Sequence, residues 1–242
     1  MIPKIIHYCW FGGKPLPKSA LKCIDSWRKF FPDYEIKEWN ESNFDVNMMA
    51  FTKEAYSAKK YAFVSDVARF WVLYNEGGLY FDTDVEVIAP MDDIVERGSF
   101  MGVECMDVYE KGYPAVNPGL GVGCEVYNKF YGEMLKHYES IHFCNEDGVQ
   151  IPGTVVMHTS KMLMKYGMLP IDTCQQVAGI NIYSKDYFCP LEDATGILYK
   201  TGNTRTIHWY SKTWIEKPML YFTITRLLHR VFGVSFFSRI KS

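Results

Sequence analysis

Between Met1 and Pro90 the hydrophobic positions follow two rhythms in turn. "KIIHYCW" (4–10) is a short apolar run closed by Gly12-Gly13 and the prolines of "KPLP", and it predicts a first strand. In "KSALKCIDSWRKFF" (18–31) the period changes. Leu21, Ile24, Trp27 and Phe31 recur at helical spacing until Pro32, which predicts an amphipathic helix. "YEIKEW" (34–39) alternates as a second strand. From Ala58 to Asn75 the pattern is strongly helical, and Gly77-Gly78 ends it. "LYFDTDVEV" then returns to strand, with "VEVIAP" as its continuation or a neighbour. This alternation predicts an α/β fold with a mainly parallel central sheet flanked by helices.

In such sheets ligands bind beyond the carboxyl ends of strands, which is where Asp82 and Asp84 fall. Two acids separated by one Thr repel each other and cost desolvation energy unless a cation or a donor compensates. Hard oxygen donors at a strand end suit Mg²⁺ or Mn²⁺, which also take ligands from a substrate phosphate. A solvated turn is the plain alternative. In the preceding helix Asp66 and Arg69 stand three residues apart, on one face with Ala62 and Leu73. They form either an intrahelical ion pair or two polar anchors for a ligand's hydroxyls and phosphates.

Composition narrows the field. A chain of 242 residues is long enough for one large domain with a substantial core. A formal net charge of −2 argues against a nucleic-acid binder that relies on a basic surface. The 17 Tyr and 6 Trp serve a core first, but also sugar and nucleobase pockets. The seven Cys show neither C-x-x-C spacing nor clustering with His, which indicates a reducing compartment and not a disulfide framework or zinc site. "MIPKIIHYCWFGG" lacks the pattern of a signal peptide, and no segment has the ~20 uninterrupted apolar residues of a membrane span. The expected location is cytoplasmic.

"YAFVSDVARFWVLYNEGGLYFDTDVEV" (61–87) resembles the core of the DXD glycosyltransferases with the sugar-binding-region signature, family 32. S-D-x-x-R, a Gly pair and Y-x-D-x-D occur in order and at the expected spacing. The group includes initiating α-1,6-mannosyltransferases, α-1,4-galactosyltransferases and bacterial capsule enzymes. It is distantly similar to the glucosyltransferase domains of clostridial toxins. "IPKIIHYCWFGG" resembles the family's opening strand, and "NTRTIHWYSKTW" (203–214) its C-terminal H-H-x-x-x-S-W segment, with Trp209 and Thr213 departing from that pattern.

The resemblance implies a GT-A-type fold and a metal-dependent transferase that moves a hexose or N-acetylhexosamine from a UDP-sugar to a glycan acceptor. It further implies retention of anomeric configuration and, from context, a role in capsular polysaccharide or lipopolysaccharide synthesis. Trp10 matches the aromatic that packs on the nucleobase. Tyr61, Asp66 and Arg69 match donor contacts. Asp82 matches the first DXD acid, shared between donor hydroxyls and metal, and Asp84 the direct ligand of Mn²⁺ or Mg²⁺. His208 matches a histidine that closes over the diphosphate and completes the metal shell. Trp214 matches the aromatic covering the leaving group, and Thr213 or Ser211 supplies a leaving-group hydrogen bond.

Elsewhere, Asp92 and Asp93 read as a helix cap, and "GLGVG" (119–123) as strand and turn bordering the sugar pocket. Glu104 and Asp107 read as surface acids, with sugar hydroxyls as an alternative partner. Residues 1–216 are assigned to the transferase domain. Residues 217–242 carry Lys217, Arg226, Arg230, Arg239 and Lys241 and no acid, which reads as a basic amphipathic segment in a membrane interface or a terminal helix packed on the domain. Two other function classes compete. A Mg²⁺-dependent phosphatase would continue D-x-D-x-T/V, where Glu86 stands here, and a non-catalytic sugar-binding protein has no need of a diphosphate-bound metal.

Overall fold

Ile6 and Tyr8 point to one side of the first strand and join a core with Trp27 and Phe81, whereas Cys9 joins the opposite core with Phe70 and Tyr80. This period of two places the strand at the centre of a two-faced sheet. The computed structural model describes residues 1–211 and 219–234. The chain opens with β1 (Ile5–Cys9), α1 (Lys18–Phe30), β2 (Glu35–Trp39), α2 (Ala50–Ser57), α3 (Tyr61–Glu76), β3 (Gly78–Tyr80) and β4 (Val85–Val87). It continues through α4 (Asp92–Val95), β5 (Phe100–Met106), β6 (Pro114–Asn117), β7 (Val122–Cys124), α5 (Lys129–Glu139) and α6 (Val155–Lys165). Then follow β8 (Gln175–Val177), β9 (Ile180–Tyr183), α7 (Lys185–Phe188), β10 (Leu191–Glu192), β11 (Ile197–Leu198), β12 (Thr206–His208) and α8 (Met219–Phe232).

The main sheet runs β2-β1-β3-β7-β5-β9-β8, with β6 paired to β5. β1 is parallel to both β2 and β3, and β5 is parallel to β9, while β7 enters antiparallel between β3 and β5. The α/β arrangement expected of the GT-A type is present. α3 and α5 bury Val64, Val67, Phe70, Leu73 and Tyr131 on one face, and α1 buries Cys23, Ile24 and Trp27 on the other. Leu21, assigned to the α1 stripe by its spacing, is instead 46% exposed, and Ala20, Cys23, Ile24 and Trp27 make the buried face.

The helix predicted from Ala58 begins at Tyr61, because Lys59 adopts φ 59° and separates it from α2. Its Gly pair has a specific steric cause. Gly77 and Gly78 have φ 64° and 97°, and a Cβ on Gly78 would lie 2.6 Å from the Ile5 carbonyl oxygen. Only glycine lets α3 turn directly into a strand pressed against β1. His7 secures the same corner: its Nε2 lies 2.9 Å from the Gly77 carbonyl oxygen and its Nδ1 accepts from Trp39 Nε1 at 3.0 Å. These two partners fix the neutral imidazole with its proton on Nε2.

"VEVIAP" neither continues β3 nor pairs with it. β4 forms a separate two-stranded sheet with β12, antiparallel, with His208 opposite Val85. Trp27 Nε1 of α1 donates to the Val85 carbonyl at 2.8 Å, and Thr206 Oγ1 donates to the carbonyls of Leu120 and Phe188. The buried Trp27 of α1, the loop before β7 and the end of α7 thereby hold β4 and β12, and His208 with them, at the carboxyl edge of β3.

Candidate active site

Asp82 and Asp84 lie in the turn between β3 and β4, beyond the carboxyl end of a central strand. The backbone of that turn is closed by Val85 N–H donating to the Asp82 carbonyl and by Asp82 N–H donating to the Gly119 carbonyl. The two carboxylates are held by different partners.

Asp82 belongs to a cluster anchored in α3. Arg69 Nη2 lies 2.9 Å from Asp66 Oδ1 and 3.2 Å from Asp82 Oδ1, and Tyr80 Oη donates to Asp82 Oδ1 at 3.0 Å. The guanidinium also sits over the Tyr80 ring, 5.0 Å from its centroid. Arg69 is 3% exposed, and its Nη1 is buried with no hydrogen-bond partner. A buried cation with an unspent donor at a strand edge is a ready contact for an anionic or hydroxyl-rich ligand. The pair Asp66–Arg69 is therefore more than an intrahelical ion pair, because the guanidinium reaches across to the DXD turn.

Asp84 is gripped by the segment that follows β12. His208 Nε2 stands 3.2 Å from Asp84 Oδ1, while the Ser211 amide and hydroxyl donate to Oδ2 at 2.8 and 2.9 Å. Trp209 N–H donates to the Asp84 carbonyl oxygen. This wrap requires a reversal at Tyr210, which has φ 52°. Burial opposes ionisation of Asp84, but the His208 charge and the Ser211 donors hold its carboxyl well below the usual carboxylate range. Conversely, burial opposes the imidazolium, yet Asp84 raises His208 well above an ordinary histidine. Asp66 and Asp82 go the other way. Burial raises both, against the pull of Arg69, Asp66 to about 7.

One ligand atom each from Asp82, Asp84 and His208 lies within 4.8 Å of the others. Two carboxylate oxygens and an imidazole nitrogen are a donor set for Mn²⁺ or Mg²⁺. His208 Nε2 and Asp84 Oδ1, which face each other at 3.2 Å, are both members of this donor set, so a bound cation would compete with the proton for the imidazole. The residues fit the metal.

Trp10 and Tyr61 frame the adjoining carboxyl end of β1. Trp10 is half-buried with its Nε1 donating to the Lys14 carbonyl, and the Tyr61 ring fills the space beside Gly12, whose φ is 95°. Ser211, expected near the leaving group, spends its hydroxyl on Asp84. Thr213 and Trp214 lie outside the described residues, as does the proposed boundary at 216/217. Trp209, in the place of the family's second histidine, is exposed and donates from Nε1 to Glu86. Glu86, the residue at odds with the phosphatase motif, is thus occupied away from the carboxylate pair. Asp92 and Asp93 open α4, but the N-cap position is Met91, and Asp93 pairs with Arg205.

Two contributors had little or no signal in sequence. Asn117 is buried, accepts from Gly119 N–H at 2.7 Å and donates to Glu104 at 3.2 Å, which fixes the loop between β6 and β7 under Asp82. Gly119 itself presses against the Asp82 carboxylate, which gives the Gly-rich stretch its structural purpose. Asp107, by contrast, has φ 62°, and it bonds within its own loop: its carboxylate accepts from the Gly112 amide and its N–H donates to the Tyr113 carbonyl.

Residues 17–101 match the family described as glycosyltransferase sugar-binding region containing DXD motif. The chain is 30% identical over 111 residues to inositol phosphoceramide mannosyltransferase 1 of Schizosaccharomyces pombe, covering 41% of this chain and 33% of that protein. It is 24% identical over 119 residues to subversion of eukaryotic traffic protein A of Legionella pneumophila, covering 38% of this chain and 18% of that protein. The matched stretches thus span about a third or less of these curated relatives. Among solved structures, PaToxG glycosyltransferase aligns at 19% identity and TM-score 0.48, over 68% of this chain and 69% of that one. The galactosyltransferase LgtC, in complex with donor and acceptor sugar analogs, aligns at 15% identity and TM-score 0.44, over 92% and 95%.

Proposed function

We propose, from the match of residues 17–101 to the glycosyltransferase sugar-binding region containing the DXD motif, that the chain transfers a hexose or N-acetylhexosamine from a UDP-sugar to a glycan acceptor with retention of anomeric configuration. The observation that carries the reading is the convergence of Asp82, Asp84 and His208 beside the unspent Nη1 of buried Arg69. A non-catalytic sugar-binding protein has no need of a metal that binds a diphosphate, and a donor set beside a sequestered guanidinium suits that anion.

In this reading Asp84, His208 and Asp82 would hold Mn²⁺ or Mg²⁺, which would supply positive charge to offset that of the diphosphate leaving group. Arg69 donates to the sugar or phosphate oxygens, with Asp66 and Tyr80 fixing its plane. Asp82 divides its oxygens between Arg69 and the donor hydroxyls. Trp10 and Tyr61 form the base platform at the end of β1. Ser211 fixes the rotamer of Asp84 and so acts on the leaving group through that carboxylate. Among the described residues no further carboxylate stands out as a base, which favours front-face attack by the acceptor hydroxyl with the departing phosphate taking its proton. The reaction is proposed to serve surface-polysaccharide synthesis in the cytoplasm.

UDP release from UDP-glucose, UDP-galactose and their N-acetyl forms, measured with and without Mn²⁺, tests the reading. Mn²⁺-dependent release that Asp84→Asn abolishes supports it. Release that persists in chelator or in the variant contradicts it.

A further inference from the structure

Helix α8 is amphipathic in the reverse sense to a packed surface helix. Its polar face is turned toward the protein. Arg226 Nε and Nη2 bind the carbonyl and carboxylate of Asp193 at 3.0 Å, the His229 ring meets the Ala194 carbonyl, and Arg230 Nε and Nη2 donate to the carbonyls of Thr195 and Gly196. Arg226, His229 and Arg230 recur at spacings of three and four and so share one face. Opposite them, at the same spacing, Ile224, Leu227 and Val231 are 49%, 59% and 67% exposed, and Val234 beyond the helix is also exposed. A helix docked by arginines with its aliphatic stripe outward buries the side that gains least from leaving water. Such an arrangement is stable when something apolar covers the other side.

We propose that this stripe docks into the surface of an anionic lipid bilayer, with α8 lying in the interface. Three observations select that occupant. The stripe is a single exposed helix face, which a fluid lipid interface accommodates without a matching groove. From residue 217 onward the sequence has Lys217, Arg226, Arg230, Arg239 and Lys241 and no acidic side chain; Arg226 is matched by Asp193 and Arg230 meets backbone carbonyls, so the segment keeps a positive excess that complements a negative surface and makes two copies of it repel one another. At 14 residues, about 21 Å, the helix is too short for the ~30 Å hydrocarbon core, and no helix among the described residues is long and apolar enough to cross a membrane. The β10–β11 hairpin that supplies the docking carbonyls also leaves Ile197, Leu198 and Tyr199 exposed, which extends the apolar surface next to the helix.

The binding needs no turnover, so its test stands apart from the transferase reading. The full chain is floated with vesicles of phosphatidylcholine alone and with about one-third phosphatidylglycerol. Wild type is expected to float with the anionic vesicles, less so as salt rises. The double variant Leu227→Glu, Val231→Glu is expected to bind about tenfold more weakly or worse, with an unchanged far-ultraviolet spectrum and melting temperature. The conservative variant Leu227→Ile, Val231→Leu is expected to bind as wild type. Failure of wild type to float, or undiminished binding of the Glu variant, overturns the proposal. So does a wild-type dimer in light scattering that the Glu variant dissociates, because the stripe then covers a second copy.

Discussion

Gly119 packs so closely against Asp82 that any side chain there would overlap the carboxylate; its Cβ would also stand 2.9 Å from Arg69 Nη1. One glycine in the β6–β7 loop therefore sets how near the first DXD acid and the buried guanidinium approach. Gly119→Ala should displace both, costing about 1–3 kcal/mol of stability and weakening UDP binding in the presence of Mn²⁺. Gly202→Ala, where a Cβ meets nothing within 4 Å, is the matched control. Thermal denaturation and calorimetric titration of the pair separate the two. Equal behaviour of the two variants would remove Gly119 from the site.

In the proposed reading Trp10 and Tyr61 contact the nucleobase. Stacking of a base on an aromatic ring is worth about 1–3 kcal/mol. Trp10→Ala should therefore weaken UDP by about tenfold to a hundredfold while leaving Mn²⁺ binding in the absence of nucleotide unchanged. A fall in metal affinity alone would place Trp10 in the structural support of the site and not on the base.

Asp66 imposes a pH dependence with a definite sign. Burial, opposed by Arg69 and reinforced by Asp82, raises its folded-state value to about 7, against about 3.9 in an unfolded chain. Between these values the native state keeps a proton that the unfolded state has released, so this group's contribution to stability falls as pH rises from about 4 to 7. Asp66→Asn removes the dependence. Without metal or nucleotide, wild type should lose stability relative to the variant across that window, by up to about 4 kcal/mol. Urea denaturation at several pH values reads the difference. Parallel profiles would show that Asp66 stays ionised in the fold.

The His137–His158 pair works in the opposite direction. The two rings meet at 2.8 Å between α5 and α6, and burial lowers both, His158 to about 4. The unfolded chain protonates these groups first, so their contribution to stability is present above the ordinary histidine value of about 6.5 and is lost as pH falls toward 4. His158→Asn should make acid unfolding less steep between those limits. An unaltered acid limb in the variant would show that the pair accepts protons without cost.

Much of this architecture was legible in the sequence because it is local. The strand and helix periods of β1, α1, β2 and α3, the Gly pair, and the D-x-D turn all follow from contiguous residues. Leu21 misled because a helical stripe one residue wide on either side fits the same spacing, and only packing against β4 selects Ala20 and Cys23 over it. The break at Lys59 has no composition signal, since a non-glycine residue with positive φ is invisible to propensity. The site divides in the same way. Asp66, Arg69, Asp82 and Asp84 lie within one helix–strand unit, whereas Asn117, Gly119 and the turn at Tyr210 reach it from distant strands, through β7 and β12. Their roles depend on sheet order, which pairing over long separations decides.

The central claim is a metal-assisted diphosphate site, and thermal denaturation of the intact chain with UDP or GDP, each with and without Mn²⁺, tests it most directly. The account predicts a rise in melting temperature with UDP that requires Mn²⁺, little response to GDP, and loss of the rise in Asp84→Asn but not in Asp92→Asn. No nucleotide response in any combination, or a UDP response indifferent to both Mn²⁺ and Asp84, would contradict it.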